Sequence, residues 1–141
     1  MYKALIENIG DSRYFATTND YSFVLDTEGR GANPVNTLLA SLCGCIGHYV
    51  CDYLHEQQIS YLGFSIVAEA GLTFDKTRLS IITLWIDMKG AELGEQHRSE
   101  LLIYVERCKV HAVLKEGCTI NINFGRPPQS GSVPLAQAAR G

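Results

Sequence analysis

Apolar and polar residues alternate at the amino end of the chain, change to a helical repeat near residue 34, and return to alternation after residue 60. Tyr14 to Thr18 and Tyr21 to Leu25 are two extended runs joined by Asn19-Asp20, residue types that tolerate the positive φ of a tight hairpin turn. Tyr21, Phe23 and Leu25 alternate with Ser22, Val24 and Asp26, so one face of this hairpin is expected to be covered. Thr27 to Ala32 reads as a loop. Asn33-Pro34 then opens a helix: Asn caps, and Pro at the first helical position gives up an N–H that would be unpaired anyway. The helix is predicted to run to about His55. Its apolar positions (Leu38, Leu39, Leu42, Ile46, Tyr49, Val50, Tyr53, Leu54) go most of the way round, the pattern of a helix buried on nearly every side. Gly44 and Gly47 cost about 1 kcal/mol each relative to Ala, which is expected where another backbone comes close.

Leu62, Phe64, Ile66 and Ala68 alternate, as do Ile82, Leu84, Ile86 and Met88, which predicts two long strands joined by a turn over residues 71–76. Residues 91–114 read as a helix, with Leu101, Val105 and Cys108 on one face and Gly117 as its terminator. Cys118 to Phe124 alternates and is predicted as a last strand. From Arg126 onward, two prolines and Gln-Ser-Gly-Ser mark a tail. The expected class is α+β: a curved antiparallel sheet packed on two helices, one of them long, central and buried. Residues 1–125 form a single domain in this reading and residues 126–141 its C-terminal tail.

Composition narrows the function classes. With 141 residues, 46% hydrophobic and 19% charged, the chain can bury one core. A net charge of −3 with scattered basic residues lacks the basic stripe that neutralises phosphates, so no nucleic-acid partner is expected. Val35 to Leu54 is the one segment with the length of a membrane span. It carries Asn36, His48 and Asp52 and has no basic flanks, so a buried helix and no membrane partner are expected. The amino end lacks a targeting pattern, and a cytoplasmic location is expected. Cysteine usage agrees with a reducing compartment: five is an odd number, and Cys43, Cys45 and Cys51 crowd into one stretch, a poor disulfide framework.

The candidate chemistry lies in two repeats of one spacing, Cys45-Ile-Gly-His48 and Cys108-Lys-Val-His111. Three readings of these residues stay open. Both thiols can be inert core residues, as is expected of Cys43, Cys51 and Cys118. They can be a redox pair. The two Cys-x-x-His pairs can also form a Cys2His2 zinc site, since each places both donors on one helix face. His55 and His97 read as solvated surface residues, and His111 as a packed, hydrogen-bonded one.

The residues Gly31-Ala32-Asn33-Pro34, followed by Leu38-Leu39-Ala40-Ser41-Leu42-Cys43-Gly44-Cys45, resemble the signature of the OsmC/Ohr family of thiol peroxidases. In that family a reactive cysteine lies eleven positions after the proline that opens the central helix, the spacing of Pro34 and Cys45. The second family signature, Cys-Pro-Val-His with a leucine beyond, is similar to Cys108-Lys109-Val110-His111 with Leu114 downstream. The resemblance implies an intertwined homodimer in which Cys45 is the peroxidatic thiol and Cys108 the resolving one. It implies small organic hydroperoxides as substrates, a dithiol as reductant, and neither metal nor cofactor. The activating arginine would come from the amino-terminal strands, which makes Arg13 the candidate and Arg30 the fallback. The sequence departs from the family at two positions: Val35 stands where a glutamate usually orients that arginine, and Lys109 stands where the second motif has proline. Val35 is the feature that favours an alternative, a non-catalytic dimer holding an apolar ligand. A cation near Cys45 is needed in any case, because that residue lies roughly 16 Å along the helix from its amino end, beyond the reach of the helix dipole.

Overall fold

The structure, a computed structural model, describes residues 1–128; the tail predicted over 126–141 lies outside the described residues from residue 129 on. Three short strands come first: β1 (Ala4–Glu7), β2 (Arg13–Thr18) and β3 (Ser22–Asp26), paired antiparallel in that order. The β2–β3 turn falls at Asn19-Asp20, where the Thr18 N–H donates to the Tyr21 carbonyl at 2.8 Å. The expected division into a covered and an open face does not appear. Phe23, Val24 and Leu25 are all half-buried, and the fully buried members of this sheet are Ala16 and the charged Asp26. Beyond it, Gly31 lies so close to β3 that an added β-carbon would sit 2.8 Å from the Val24 carbonyl oxygen. Glycine is what allows the Ala32 N–H to donate to that carbonyl at 2.9 Å.

Helix α1 (Pro34–Glu56) begins as its sequence predicts, the Asn33 side-chain oxygen accepting from the N–H groups of Val35 at 2.9 Å and Asn36 at 3.3 Å. By length and composition it could cross a membrane, and it packs on the strand Gly63–Leu72 and the helices Glu95–Tyr104 and Lys109–Glu116 of its own chain. Its covered face is narrower than its apolar composition predicts: Leu42, Ile46, Val50, Tyr53 and Leu54 are buried, whereas Val35, Leu38, Gly44 and His48 are exposed. The two glycines differ accordingly. A β-carbon on Gly47 would make ordinary contact with the Phe64 ring at 3.5 Å, while one on Gly44 would meet nothing within 4 Å.

Strands β4 (Gly63–Leu72) and β5 (Leu79–Lys89) form a long hairpin in the register Phe64↔Met88, Ile66↔Ile86, Ala68↔Leu84. The strand period of two turns these residues together toward α1. The single helix predicted over 91–114 is broken into α2 (Glu95–Tyr104), a 3-10 turn (Val105–Arg107) and α3 (Lys109–Glu116). The break is at Cys108, which is extended (φ −60°, ψ 123°) and caps α3. Apolar spacing runs straight through this kink, so periodicity alone could not reveal it. Gly117, at φ 79°, ends α3 as predicted.

Cys118 to Phe124 is not a strand. The alternation is present, but among the described residues nothing lies beside it to complete a ladder, and Ile120, Ile122 and Phe124 are 78%, 91% and 110% exposed. The architecture among the described residues is therefore α+β with three helices and two separate antiparallel sheets, in place of one curved sheet on two helices. The apolar core comprises Leu42, Ile46, Val50, Tyr53, Leu54, Leu93, Leu101, Val105 and Cys108, with Phe64, Ile66, Ile82, Leu84, Ile86 and Met88 packed against it. All of them come from α1, the β4–β5 hairpin and the segment from Leu93 to Cys108; the amino-terminal sheet supplies none.

Candidate functional site

Cys45 and Cys108 meet where α1 passes the break between α2 and α3. Their side chains are neighbours, the Cys45 thiol being among the groups that raise Cys108, and neither is in a disulfide. The kink positions the second sulfur: with Cys108 at the cap of α3, its Sγ turns back to accept from the His111 N–H at 3.3 Å. Cys108 is fully buried, and Cys45 is half-buried against the core. Burial pushes the Cys108 thiol above its ordinary value, the hydrogen bond to Cys45 pushes the same way, and the N–H groups of His111 and Val110 pull against them. Cys108 therefore holds its proton more tightly than an ordinary thiol. The other thiols stand apart: burial also raises Cys43, Cys51 accepts from the Tyr61 hydroxyl at 3.5 Å, and Cys118 is exposed.

The histidines of the two motifs do not converge with these sulfurs. His48 projects outward and pairs with Asp52 at 3.5 Å. His111 contributes its backbone N–H, while its ring lines a neighbouring groove. Among the described residues no group of three or more His, Cys, Asp or Glu side chains is placed to hold a metal ion, so the Cys2His2 set is not assembled.

Arg13 lies at the start of β2 in the other part of the molecule. Its guanidinium donates to the Asp11 carboxylate through Nε at 2.9 Å and Nη2 at 2.6 Å, and it lies over the Phe15 ring at 5.7 Å. Arg30 is held by buried Asp26 at 3.5 Å and by the Ser12 hydroxyl at 2.7 Å. Val35 is exposed at the first turn of α1 and contributes no charge. The carboxylate beside Arg13 thus comes from the β1–β2 connection, two residues away in sequence. That Asp-x-Arg spacing was legible, although its meaning was not.

A groove of about 710 Å³ runs between β5 and the α2–α3 segment, walled by Ile46, Leu84, Ile86, Leu101, Val105 and His111. Ile46 adjoins Cys45 in the chain, and Val105 and His111 flank Cys108. Sequence reasoning also missed a buried polar cluster beside α1. The Tyr53 hydroxyl donates to Glu100 at 2.7 Å and lies 2.9 Å from His97 Nδ1, so His97 is a half-buried partner and not a solvated residue. No local pattern links residues 44 positions apart.

An α+β chain whose long helix carries one cysteine to the cap of a later helix that carries a second is a two-thiol scaffold. The family profile described as OsmC-like protein matches residues 27–123. The fold is similar to that of the OsmC-like protein from Mycoplasma pneumoniae, with a TM-score of 0.72 at 19% identity over 82% of this chain and 88% of that one. It is also similar to the organic hydroperoxide resistance protein OhrB of Bacillus subtilis, with a TM-score of 0.60 at 19% identity over 82% and 91%. An organic hydroperoxide resistance protein from Elizabethkingia anophelis aligns with a TM-score of 0.58 at 12% identity over 82% and 89%. No curated protein matches the chain significantly by sequence. The chain belongs to the OsmC-like protein family.

Proposed function

We propose that this protein reduces organic hydroperoxides with Cys45 as the attacking thiol and Cys108 as the resolving one. The proximity of these two side chains, one on α1 and one at the cap of α3, is the observation that carries the reading. A thiolate, not a thiol, attacks the O–O bond. Cys45 thiolate displaces alkoxide from ROOH, forming Cys45–SOH while the alkoxide takes up a proton and leaves as ROH. Cys108 then attacks the sulfenic sulfur and expels water, forming the disulfide; an external dithiol reduces it and becomes oxidised. Donating N–H groups at the cap of α3 stabilise negative charge on Cys108. While Cys45 is reduced, burial first and the neighbouring thiol second hold the proton on Cys108. Oxidation of Cys45 removes the second of these, and the N–H groups at the cap then favour the second sulfur as the nucleophile. The groove beside the pair has the apolar walls that an alkyl or aryl hydroperoxide needs.

The family names of the solved relatives support this substrate class. The active form in this reading is a homodimer in a reducing, cytoplasmic environment. A second copy covers the amino-terminal sheet and the alternating segment from Cys118 to Phe124, where Leu5, Ile6, Ile120, Ile122 and Phe124 are left exposed by the described residues of one chain. That second copy is also the route by which Arg13, remote from its own Cys45, would reach a thiol. Cys45→Ser is expected to abolish consumption of t-butyl hydroperoxide. Cys108→Ser should accumulate a sulfenic acid that a dimedone probe traps. Undiminished turnover in Cys45→Ser sinks the proposal. Val35 and the groove favour a second reading, an apolar-ligand carrier, which predicts no peroxide-dependent thiol loss in the wild type.

A further inference from the structure

Beside the cysteine pair an unbroken row of aromatic rings leads away along α1 and α2. Tyr49 lies one helical turn after Cys45 on the same side of α1, in the direction in which helical side chains tilt back toward the amino end. The Tyr49 and Tyr104 ring centroids are 6.3 Å apart, Tyr104 and Tyr53 5.6 Å, and Tyr53 and His97 6.2 Å, each pair edge to face. Packing α2 on α1 explains three adjacent rings. It does not call for a proton acceptor at two successive phenols, yet Tyr104 donates to Glu56 at 2.9 Å and Tyr53 donates to Glu100 at 2.7 Å with His97 Nδ1 at 2.9 Å.

Those acceptors are what a phenol requires to lose an electron inside a protein, because the oxidised ring must shed its proton as the electron leaves. Arg107, 4.1 Å over the Tyr104 ring, makes this condition strict. A guanidinium disfavours a second positive charge on the ring it covers, so Tyr104 can pass an electron only if its proton goes to Glu56. Tyr53 is buried, so an oxidant in solution does not reach it directly, while Glu100 and His97 at the end of the row are partly open to solvent.

We propose that Tyr49, Tyr104 and Tyr53 form a one-electron relay that draws oxidising equivalents off Cys45 when the thiol meets a radical instead of a peroxide. The co-reactant is an alkoxyl radical, the product of one-electron cleavage of an organic hydroperoxide. It takes one electron from Cys45 thiolate and a proton from solvent and leaves as the alcohol, and Cys45 becomes a thiyl radical. The thiyl takes an electron from Tyr104 across the intervening Tyr49 ring and returns to thiolate, while the Tyr104 proton passes to Glu56. Tyr53 then gives an electron to Tyr104, which takes its proton back from Glu56 as the Tyr53 proton passes to Glu100. The net change leaves Tyr53 as a phenoxyl radical with its proton on the Glu100–His97 pair. An external hydrogen donor such as ascorbate then reduces it.

The proposal uses Cys45 as the site of attack but not the disulfide cycle, so the two can fail separately. Alkoxyl radicals are generated from t-butyl hydroperoxide with a ferrous chelate, and the full-length protein is freeze-quenched for electron paramagnetic resonance. Wild type is expected to show a tyrosyl signal whose loss in Tyr53→Phe assigns it to that residue. Both Cys45→Ser and Tyr104→Phe should abolish the Tyr53 component, and in Tyr104→Phe irreversible oxidation of Cys45, read by mass spectrometry, should rise. Persistence of the Tyr53 signal in either variant, or its absence from wild type, overturns the relay. Peroxide turnover without iron, measured in Tyr104→Phe, tests the disulfide cycle independently and is expected to be unchanged.

Discussion

The two halves of this molecule are held together by different physics. In the helical half, α1, α2 and the β4–β5 hairpin close on an apolar core in which Val50 and Leu54 are wholly buried. In the amino-terminal half, β1 is exposed along its length, and the buried charge is a carboxylate at the end of edge strand β3, Asp26, satisfied by the Glu28 and Arg30 N–H groups and the Arg30 guanidinium. Burial of apolar surface is non-directional and large, about 1.5–3 kcal/mol per fully buried Leu or Val side chain. A paired buried charge fixes geometry but adds little net stability, because desolvation offsets most of the attraction. The difference teaches that the helical half is a stable platform for the thiols, whereas the sheet holds its shape with polar contacts and leaves apolar surface for another molecule.

Leu54→Ala should produce the largest effect, a loss of about 3 kcal/mol in chemical denaturation; Ile6→Ala in β1 should cost no more than about 0.5 kcal/mol in the isolated chain. Equal losses would break the comparison. Next in size, Ile6→Glu should weaken self-association measured by sedimentation by on the order of 2 kcal/mol, roughly thirtyfold in Kd, through burial of an unpaired charge. An unchanged sedimentation profile would mean that β1 is not the covered surface.

Smaller still, and confined to the helical half, is the effect of the N–H at the cap of α3. His111→Pro removes the donor to Cys108 sulfur at a position where the first helical turn tolerates proline, and His111→Ala keeps it. Disulfide formation after peroxide attack should slow roughly tenfold in the first variant only, since a hydrogen bond to a charged group is worth about 1.5 kcal/mol. Stopped-flow fluorescence of Trp85 reads this step, and identical rates in the two variants would remove the cap from the mechanism.

The smallest prediction separates the halves by pH. Backbone hydrogen bonds from Glu28 lead the causes that lower Asp26 below its ordinary value of 3.8, so its contribution is present above that value and is lost as pH falls below it. Burial, followed by Glu100, raises Tyr53 from 10.0 to about 12, so its contribution is present below pH 10 and is lost as pH rises through about 12. Residue-resolved hydrogen exchange should therefore show acid opening the sheet first and alkali opening α1 against α2, with Tyr53→Phe removing the alkaline step. The reverse order would contradict the assignment of polar and apolar anchors.

Much of the architecture was legible in the chain. Asn33-Pro34 marked the start of α1, alternation marked β4 and β5, and the two Cys-x-x-His motifs marked the thiols. Two errors share one cause. Residues 91–114 keep their apolar period across the kink at Cys108, and residues 118–124 keep theirs with no strand among the described residues beside them. Periodicity reports which residues seek cover, not whether the backbone bends or whether a neighbour exists to provide the cover. The family resemblance located Cys45 and Cys108, but nothing local showed that Asp11 takes the Arg13 guanidinium or that His97 lies against Tyr53.

By itself, then, the sequence determined the elements whose signals are local: caps, turns and strand alternation. Tertiary structure decided what those residues face. Because α3 starts afresh at Cys108, the second sulfur turns back toward α1 and meets Cys45, and because the core draws on one half only, the other half keeps its apolar side chains in the open. Both outcomes depend on contacts between residues far apart in the chain, set by packing and desolvation, which no short window of residues encodes.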